Sequence, residues 1–553
     1  MVVSVLAPSR QGVQAFPTKF ALQQDRWNDY SFVTLYHLYH QEEGQSPTLI
    51  GPVKILRRGQ TEQDGIQITE AFEQLSPEFG SVGSSLDYYQ RLNEIPPADR
   101  DEILSILNDV VAQPHLEQVF NQETGWRVSL FRDNSDPEGF LTDAGAIHSR
   151  NANELPDLRF SFTFHPGGWS SPVQLYFDAP SPFLYSGPKR KLGPSQREVL
   201  LPRRVMVLIG RNGSGKSTLL SRIARVAFAS PSDRAWPQLM AVGAFDPPSV
   251  GFTRIIAVSY SAFENFSVPG LYETELEQIA ADIEKGGGRY VYAGLRDVVA
   301  EVREQLATSR SRPGADNERS IVEAADRRPT TKLKSLEQLA DEFARLVEQI
   351  VANGDGVLFD AALEPVLADA SFADVAGVDW QALLGPDPRA SFLGWSTGHK
   401  ITLHAIASLV AHTTRKSLVL FDEPETHLHP PLIAGVLHAL RLVLEEKNAF
   451  AIVATHSPVI LQETPSKHVR VIRRIGDQFE VIVPSKQTFG ENVGTLTHDT
   501  FGLTASATDF HEVLDILVQA HTSIEQVNEH FTPPLSGQAL AYVLAGLARK
   551  ARQ

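Results

Sequence analysis

Apolar positions fall in two rhythms along this chain. Short continuous apolar runs, bounded by charged residues, Gly or Pro, read as buried strands: Val205–Ile209, Arg254–Val258, Ser417–Phe421 and the run FAIVAT from Phe450. In the second rhythm, Leu336, Leu339, Phe343, Leu346 and Ile350 step by three and four, which predicts one amphipathic helix. Clusters of aromatic and β-branched residues predict further strands at Tyr30–His40, Leu49–Leu56, Trp126–Phe131 and Leu158–Phe164. Residues from Pro97 to Phe120 read as helical, with Ile103, Leu104, Ile106, Leu107, Val110 and Val111 on the apolar side.

Together these patterns predict an α/β protein in five parts. An N-terminal α+β region covers 1–165, and the first part of a βα core covers 166–270. A polar, Ala-rich stretch over 271–385 reads as a helical insertion. The βα core resumes over 386–483, and a mainly helical region covers 484–553.

Composition narrows the class. Of the 553 residues 42% are hydrophobic, ordinary for a globular chain with a large core. The formal charge of -16 argues against non-specific coating of DNA, so nucleic acid must dock on local basic patches or through a partner. The segment with Lys189, Arg190, Lys191, Arg197, Arg203 and Arg204 is the clearest such patch, and a solvated loop is its plainer reading. The insertion's Arg303, Arg310, Arg312, Arg319, Arg327 and Arg328 are interleaved with acids. There is no cysteine, which excludes disulfides and thiolate metal sites. No run is long and apolar enough to span a bilayer, and the first residues lack a charged n-region followed by an apolar stretch. A cytoplasmic protein without membrane contact is the expectation.

Four short segments carry chemistry. Gly210-Arg-Asn-Gly-Ser-Gly-Lys-Ser217 fits G-x-x-x-x-G-K-[ST] and lies between a strand and a helix. Its glycines let backbone N–H groups wrap a triphosphate. Gly210, Asn212, Gly213, Ser214, Gly215 and Thr218 belong to that cradle, Lys216 reaches the β- and γ-phosphates, and the Ser217 hydroxyl ligates Mg²⁺. Asp422 and Glu423 follow the strand ending at Phe421. Asp422 suits Mg²⁺, and Glu423 is placed to polarise an attacking water. His456 ends the strand from Phe450 and is a candidate contact to the γ-phosphate. Ser396 and Gly398 open a helix, a combination that forms an anion site.

These four elements in this order resemble the ABC ATPase superfamily. DEPETHLHP and the later ATHSP resemble its SMC-like and OLD-like branch rather than transporter subunits. The resemblance implies an ABC-type P-loop core, ATP and Mg²⁺ as ligands, and a homodimer or higher homo-oligomer. In it each P-loop would face the partner's Ser396–Gly398 segment across ATP. It makes Glu423 the catalytic base, Asp422 the Mg²⁺ partner and His456 the switch histidine. The signature departs from the transporter LSGGQ, since this chain reads WSTGHK with His399 where Gln is common. No glutamine marks a Q-loop, and Ser259–Phe266 is the corresponding segment. Phe183 and Tyr185 are candidates to stack on adenine, with hydrophobic filling as the plainer reading.

Transport is disfavoured by the absence of a membrane span. The insertion, about 115 residues long, is too short for the arms of chromosome-organising ATPases. No paired-aspartate nuclease motif follows His456. The remaining resemblance is to ATPases of bacterial phage defence, such as the Septu ATPase subunit and retron-associated ATPases. It implies a separate effector nuclease regulated by ATP. The alternative is a DNA-maintenance or repair ATPase that binds DNA directly.

Overall fold

The computed structural model describes residues 1–8, 13–25, 32–42, 47–132, 137–149, 160–177, 203–229, 233–248, 250–310, 326–328, 330–375, 377–476, 478–501 and 509–551. Phe183, Tyr185, Lys189, Arg190, Lys191, Arg197, Arg312 and Arg319 lie outside the described residues.

Five strands make the N-terminal sheet in sequence order: β1 (Val3–Leu6), β2 (Phe20–Gln24), β3 (Leu35–His40), β4 (Thr48–Arg57) and β5 (Phe79–Gly83). Their inward faces and the helices Leu86–Leu92 and Pro97–Ile106 form a separate core around Phe20, Tyr36, Val53, Tyr88 and Phe120. The helix expected over Pro97–Phe120 breaks after Ile106. Asn108 turns left-handed (φ 50), and its side-chain amide donates to the carbonyls of Leu75, Ser76 and Phe79. A second helix then spans His115–Phe120. The strand expected at Trp126–Phe131 is instead a π-helix, Trp126–Leu130. Composition alone does not separate the two. The wide turn buries Trp126 and Leu130 and leaves the Ser129 carbonyl to accept from Lys54 Nζ at 2.7 Å.

The remaining strands are β6 (Phe160–Pro166), β7 (Val173–Phe177), β8 (Val205–Ile209), β9 (Gly243–Asp246), β10 (Ile255–Ser259), β11 (Tyr290–Gly294), β12 (Leu418–Asp422), β13 (Phe450–Thr455), β14 (Val469–Ile475) and β15 (Gln478–Ile482). Seven of them form the central sheet in the order β11-β10-β12-β13-β8-β14-β15, parallel except for β15. β7, β6 and β9 form a small antiparallel sheet. The central strands are apolar on both sides because both faces are covered. Val205, Val207 and Ile209 face one core, with Phe343, Ile350 and Phe359. Met206 and Leu208 face the other, with Leu219, Ile223 and Phe164. Burying each such side chain contributes about 1.5–3 kcal/mol before entropy is counted.

The stretch expected to be a helical insertion contributes β11 to the edge of this sheet. Its helix Leu336–Ala352 does form, capped by Ser335 and Gln338, and buries Phe343, Leu346 and Ile350. Toward the C-terminus, the helices Asp509–Ala520, Ile524–Asn528 and Gly537–Lys550 share a small core of Leu514, Val518, Val527 and Val543.

Charge pairs fasten the N-terminal region to the helix Glu273–Lys285 and to two strand beginnings of the central sheet. Arg91 holds Asp282 through two bonds of 3.2 and 2.9 Å. Glu94 accepts from Arg254, just before β10, at 2.7 Å. Asp143 meets Arg415 at 3.4 Å and Lys416 at 3.2 Å, just before β12. Among the described residues no helix is long and apolar enough to cross a membrane.

Candidate nucleotide site

Parallel strands deliver their C-terminal ends to one edge of the sheet, and the candidate residues gather there. β8 ends at Ile209, the loop Gly210–Gly215 follows, and the helix Lys216–Phe228 begins at once. Gly213 and Gly215 adopt φ of 78° and 91°, a region that favours glycine. A Cβ on Gly210 would lie 2.4 Å from the Ile472 carbonyl. Asn212 is exposed near the tip, Ser214 is buried and Thr218 is half-buried. Lys216 folds back across the loop, its Nζ donating to the Gly210 carbonyl at 2.9 Å and the Arg211 carbonyl at 3.3 Å. Burial lowers the pKa of that ammonium, against the opposing pull of Glu423, Asp422 and Glu425.

The Ser217 hydroxyl donates to Asp422 Oδ1 at 3.0 Å. The two residues belong to different elements, and β13 lies between β8 and β12. Burial, with Glu264 and Glu423 nearby, pushes the Asp422 carboxyl up to about 8. A buried acid crowded by other acids is strongly favoured by a cation, and a carboxylate beside a hydroxyl is an oxygen donor set that suits Mg²⁺. The residues present therefore fit the metal that the motif calls for.

Glu423 leaves β12 with a left-handed backbone (φ 46), and its N–H donates to the Ala454 carbonyl at 2.8 Å. Its carboxylate is partly exposed and lies 3.7 Å from His456 Nδ1. That histidine lowers the Glu423 pKa, and Glu423 in turn leads the effects that raise the pKa of His456. A closer carboxylate, Glu425, lies 3.1 Å from His456 Nδ1 and accepts from the His456 backbone N–H at 2.7 Å.

Ser396 and Gly398 are held by other contacts. Ser396 caps the helix Thr397–His412, its Oγ accepting from the His399 N–H at 3.4 Å. The His399 ring stacks on Phe372 with centroids 4.0 Å apart. A Cβ on Gly398 would meet only the His427 carbonyl, at 3.7 Å. Ser396 is exposed and Gly398 half-buried. The structure thus brings the P-loop, Asp422, Glu423 and His456 together, and holds Ser396 and Gly398 against the loop that follows the acids.

Three features escape a reading of the sequence. Glu425 has no role in the motif reading, although it stands only two residues past Glu423. Glu264 lies in the Ser259–Phe266 segment, buried and accepting from Arg296 at 2.9 Å and Tyr292 at 2.9 Å. Trp169, in the turn after β6, stacks on Phe479 of β15 with rings 4.4 Å apart and nearly parallel. That pair flanks the P-loop: a Cβ on Gly215 would lie 2.9 Å from Phe479 and 3.2 Å from Trp169.

Residues 263–462 match the family model of an AAA domain described as a putative AbiEii toxin of a type IV toxin–antitoxin system. The matched stretch holds Ser396, Asp422, Glu423 and His456, and the P-loop lies before it. Among individual proteins, the chain is 29% identical over 533 residues to protein ea59 of Escherichia phage lambda, covering 93% of this chain and 92% of that one. It is 31% identical over 75 residues to the retron Vc95 probable ATPase of Vibrio cholerae serotype O1 biovar El Tor, 14% of each chain. Among solved structures it is similar to an SMC head bound to the C-terminal winged-helix domain of ScpA. That likeness has 12% identity, a TM-score of 0.25, and covers 59% of this chain and 96% of the other. It is also similar to UvrA2 of Deinococcus radiodurans, at 14% identity and a TM-score of 0.27, covering 64% and 42%.

Proposed function

We propose that this chain binds and hydrolyses ATP with Mg²⁺, closes as a homodimer around the nucleotide, and uses that cycle to hold and release a separate effector, a nuclease, in defence against phage. One observation carries the ATPase part: Ser217 of the P-loop is hydrogen-bonded to Asp422 across the sheet, beside Glu423 and His456. Lys216 would leave its carbonyl partners for the β- and γ-phosphates. Ser217 and Asp422 would hold Mg²⁺, which when bound offsets the charge of the phosphate oxygens. Glu423 polarises water toward the γ-phosphorus, and His456 steadies the terminal phosphate. Ser396 and Gly398, presented on a helix N-terminus, complete the partner's site.

The defence part is supported by the family description of residues 263–462 and by the short likeness to a retron ATPase. Direct DNA binding has less support. Arg203 and Arg204 both engage Glu445, at 2.6 and 3.1 Å, and in the insertion Arg303 pairs with Glu284 at 2.7 Å.

Direct titration of the purified chain with MgATP tests the central claim. Saturable binding followed by phosphate release is expected, and a chain that ignores ATP overturns it. Co-purification with a small nuclease supports the effector. Salt-dependent DNA binding by the chain alone favours the DNA-maintenance reading instead.

A further inference from the structure

The helices Asp509–Ala520 and Gly537–Lys550 lie side by side and run in the same direction. Tyr542 Oη donates to Asp515 at 2.9 Å toward their starts. Lys550 Nζ donates to the carbonyls of Val518, Gln519 and His521, at 3.0, 2.6 and 2.9 Å, toward their ends. The core shared with the short helix Ile524–Asn528 is Leu514, Val518, Val527 and Val543, and the apolar residues packed on it fall between Leu517 and Leu547. None comes from the central sheet. Units of about 40 residues seldom hold together on so small a core without disulfides, metals or association. The chain has no cysteine, and no metal-holding cluster of His, Asp and Glu exists among the described residues. Association remains.

The surface for it is a single face. Asp515 and Tyr542 close one side of the helix pair. Helical spacing puts Phe510, Val513 and Leu517 on the far side of the first helix, and Leu540, Leu544 and Leu547 on the far side of the second. Phe510, Val513 and Leu544 are 48%, 51% and 46% exposed, and Ile516, a turn beyond Val513, is 58% exposed. Between Gln538 and Arg549 the second helix carries no charge, and Tyr542 is its only polar side chain. A helix apolar around nearly its whole girth belongs in an interior.

We propose that residues 509–551 pair with the same residues of a second copy of this chain, in a homodimer contact that needs no nucleotide. A face this apolar is unsuited to waiting bare for an occasional partner, so its occupant is one that accompanies the chain at all times. A second copy meets that condition. It also brings the same uncharged stripes to the contact, so two chains of formal charge -16 meet without opposed like charges along them. Two helix pairs together make a four-helix bundle, with the exposed stripes as its centre. Such a tether keeps two chains at high effective concentration for the nucleotide-driven closure proposed above, and does not depend on it.

The test uses the full chain, stripped of nucleotide and Mg²⁺ with EDTA, in sedimentation equilibrium at about 1 to 50 μM. The wild-type chain should be dimeric. Val513→Glu combined with Leu544→Glu should raise the dimer dissociation constant about 100-fold or more, because both place charge in an apolar contact. Both positions are half exposed, so the helical circular dichroism should hold. Val357→Glu, at a site 84% exposed elsewhere on the chain, should change nothing. Chains with Val513→Lys and Leu544→Lys should also be monomeric alone, and mixing them with the Glu-bearing chains should restore dimers through opposite charges. A monomeric wild-type chain overturns the inference. So does a dimer indifferent to the Glu pair, or a mixture no more dimeric than its parts. With Glu423→Gln added, the Glu-bearing chain should dimerise only on MgATP; failure there counts against the nucleotide closure and leaves the helical contact standing.

Discussion

Two parts of the candidate site are held in opposite ways. Gly210–Ser217, Asp422 and His456 are held by short bonds: Ser217 to Asp422, Lys216 to its own loop, and the His456 backbone N–H to Glu425. The Ser396–Gly398 segment is capped on itself, with Ser396 exposed and Gly398 half-buried beside the His427 carbonyl. The first part has its ligand chemistry assembled in one chain. The second presents an exposed cap residue at a helix N-terminus, which suits the shared site proposed above.

The sharpest way to break this contrast is Lys216→Ala. It should weaken MgATP binding by about 100-fold or more, because a charge aimed at phosphate is lost; isothermal titration reads it. Next comes Glu423→Gln, which should keep binding and slow hydrolysis by about 1000-fold. Size-exclusion chromatography in ATP should then find a long-lived dimer. Ser396→Arg should leave binding to the single chain intact and lower hydrolysis about 10-fold or more through the blocked helix end. Mixed with Lys216→Ala chains it should regain activity, since each mixed pair holds one undamaged site. A mixture no more active than its parts would end the idea of shared sites.

The smallest effect concerns stability. The Asp422 carboxyl has a folded pKa raised to about 8, above its ordinary value of 3.8. A raised pKa means that its contribution is fully present below the ordinary value and is lost as pH climbs through about 8. Without a cation, Asp422→Asn should therefore raise the melting temperature by a few degrees at pH 8 and by far less at pH 5. Mg²⁺ with ATP should stabilise the native chain at pH 8 and leave the variant little changed.

What could be read in the sequence was whatever depends on neighbours along the chain. The P-loop carries its strand, turn and helix within one stretch, and the acids and His456 mark the ends of apolar strands. The segment Trp126–Leu130 was not legible, because a π-helix and a strand draw on the same aromatic and β-branched residues. β11 was hidden inside a polar stretch, and only pairing with β10 makes it a strand of the main sheet. Glu425 and Trp169 gain meaning from partners far along the chain, Thr455 and Phe479, which no local pattern reveals.

β12 is five residues long, roughly 17 Å from end to end. Asp143 of the N-terminal region grips the residues before it, and Asp422 closes it. Every residue between is buried, with no bulge or glycine to absorb a shift. It is a short rod with a handle at one end and, at the other, the acid proposed above to hold Mg²⁺, so a shift of the N-terminal region would reach the proposed nucleotide site with little slack.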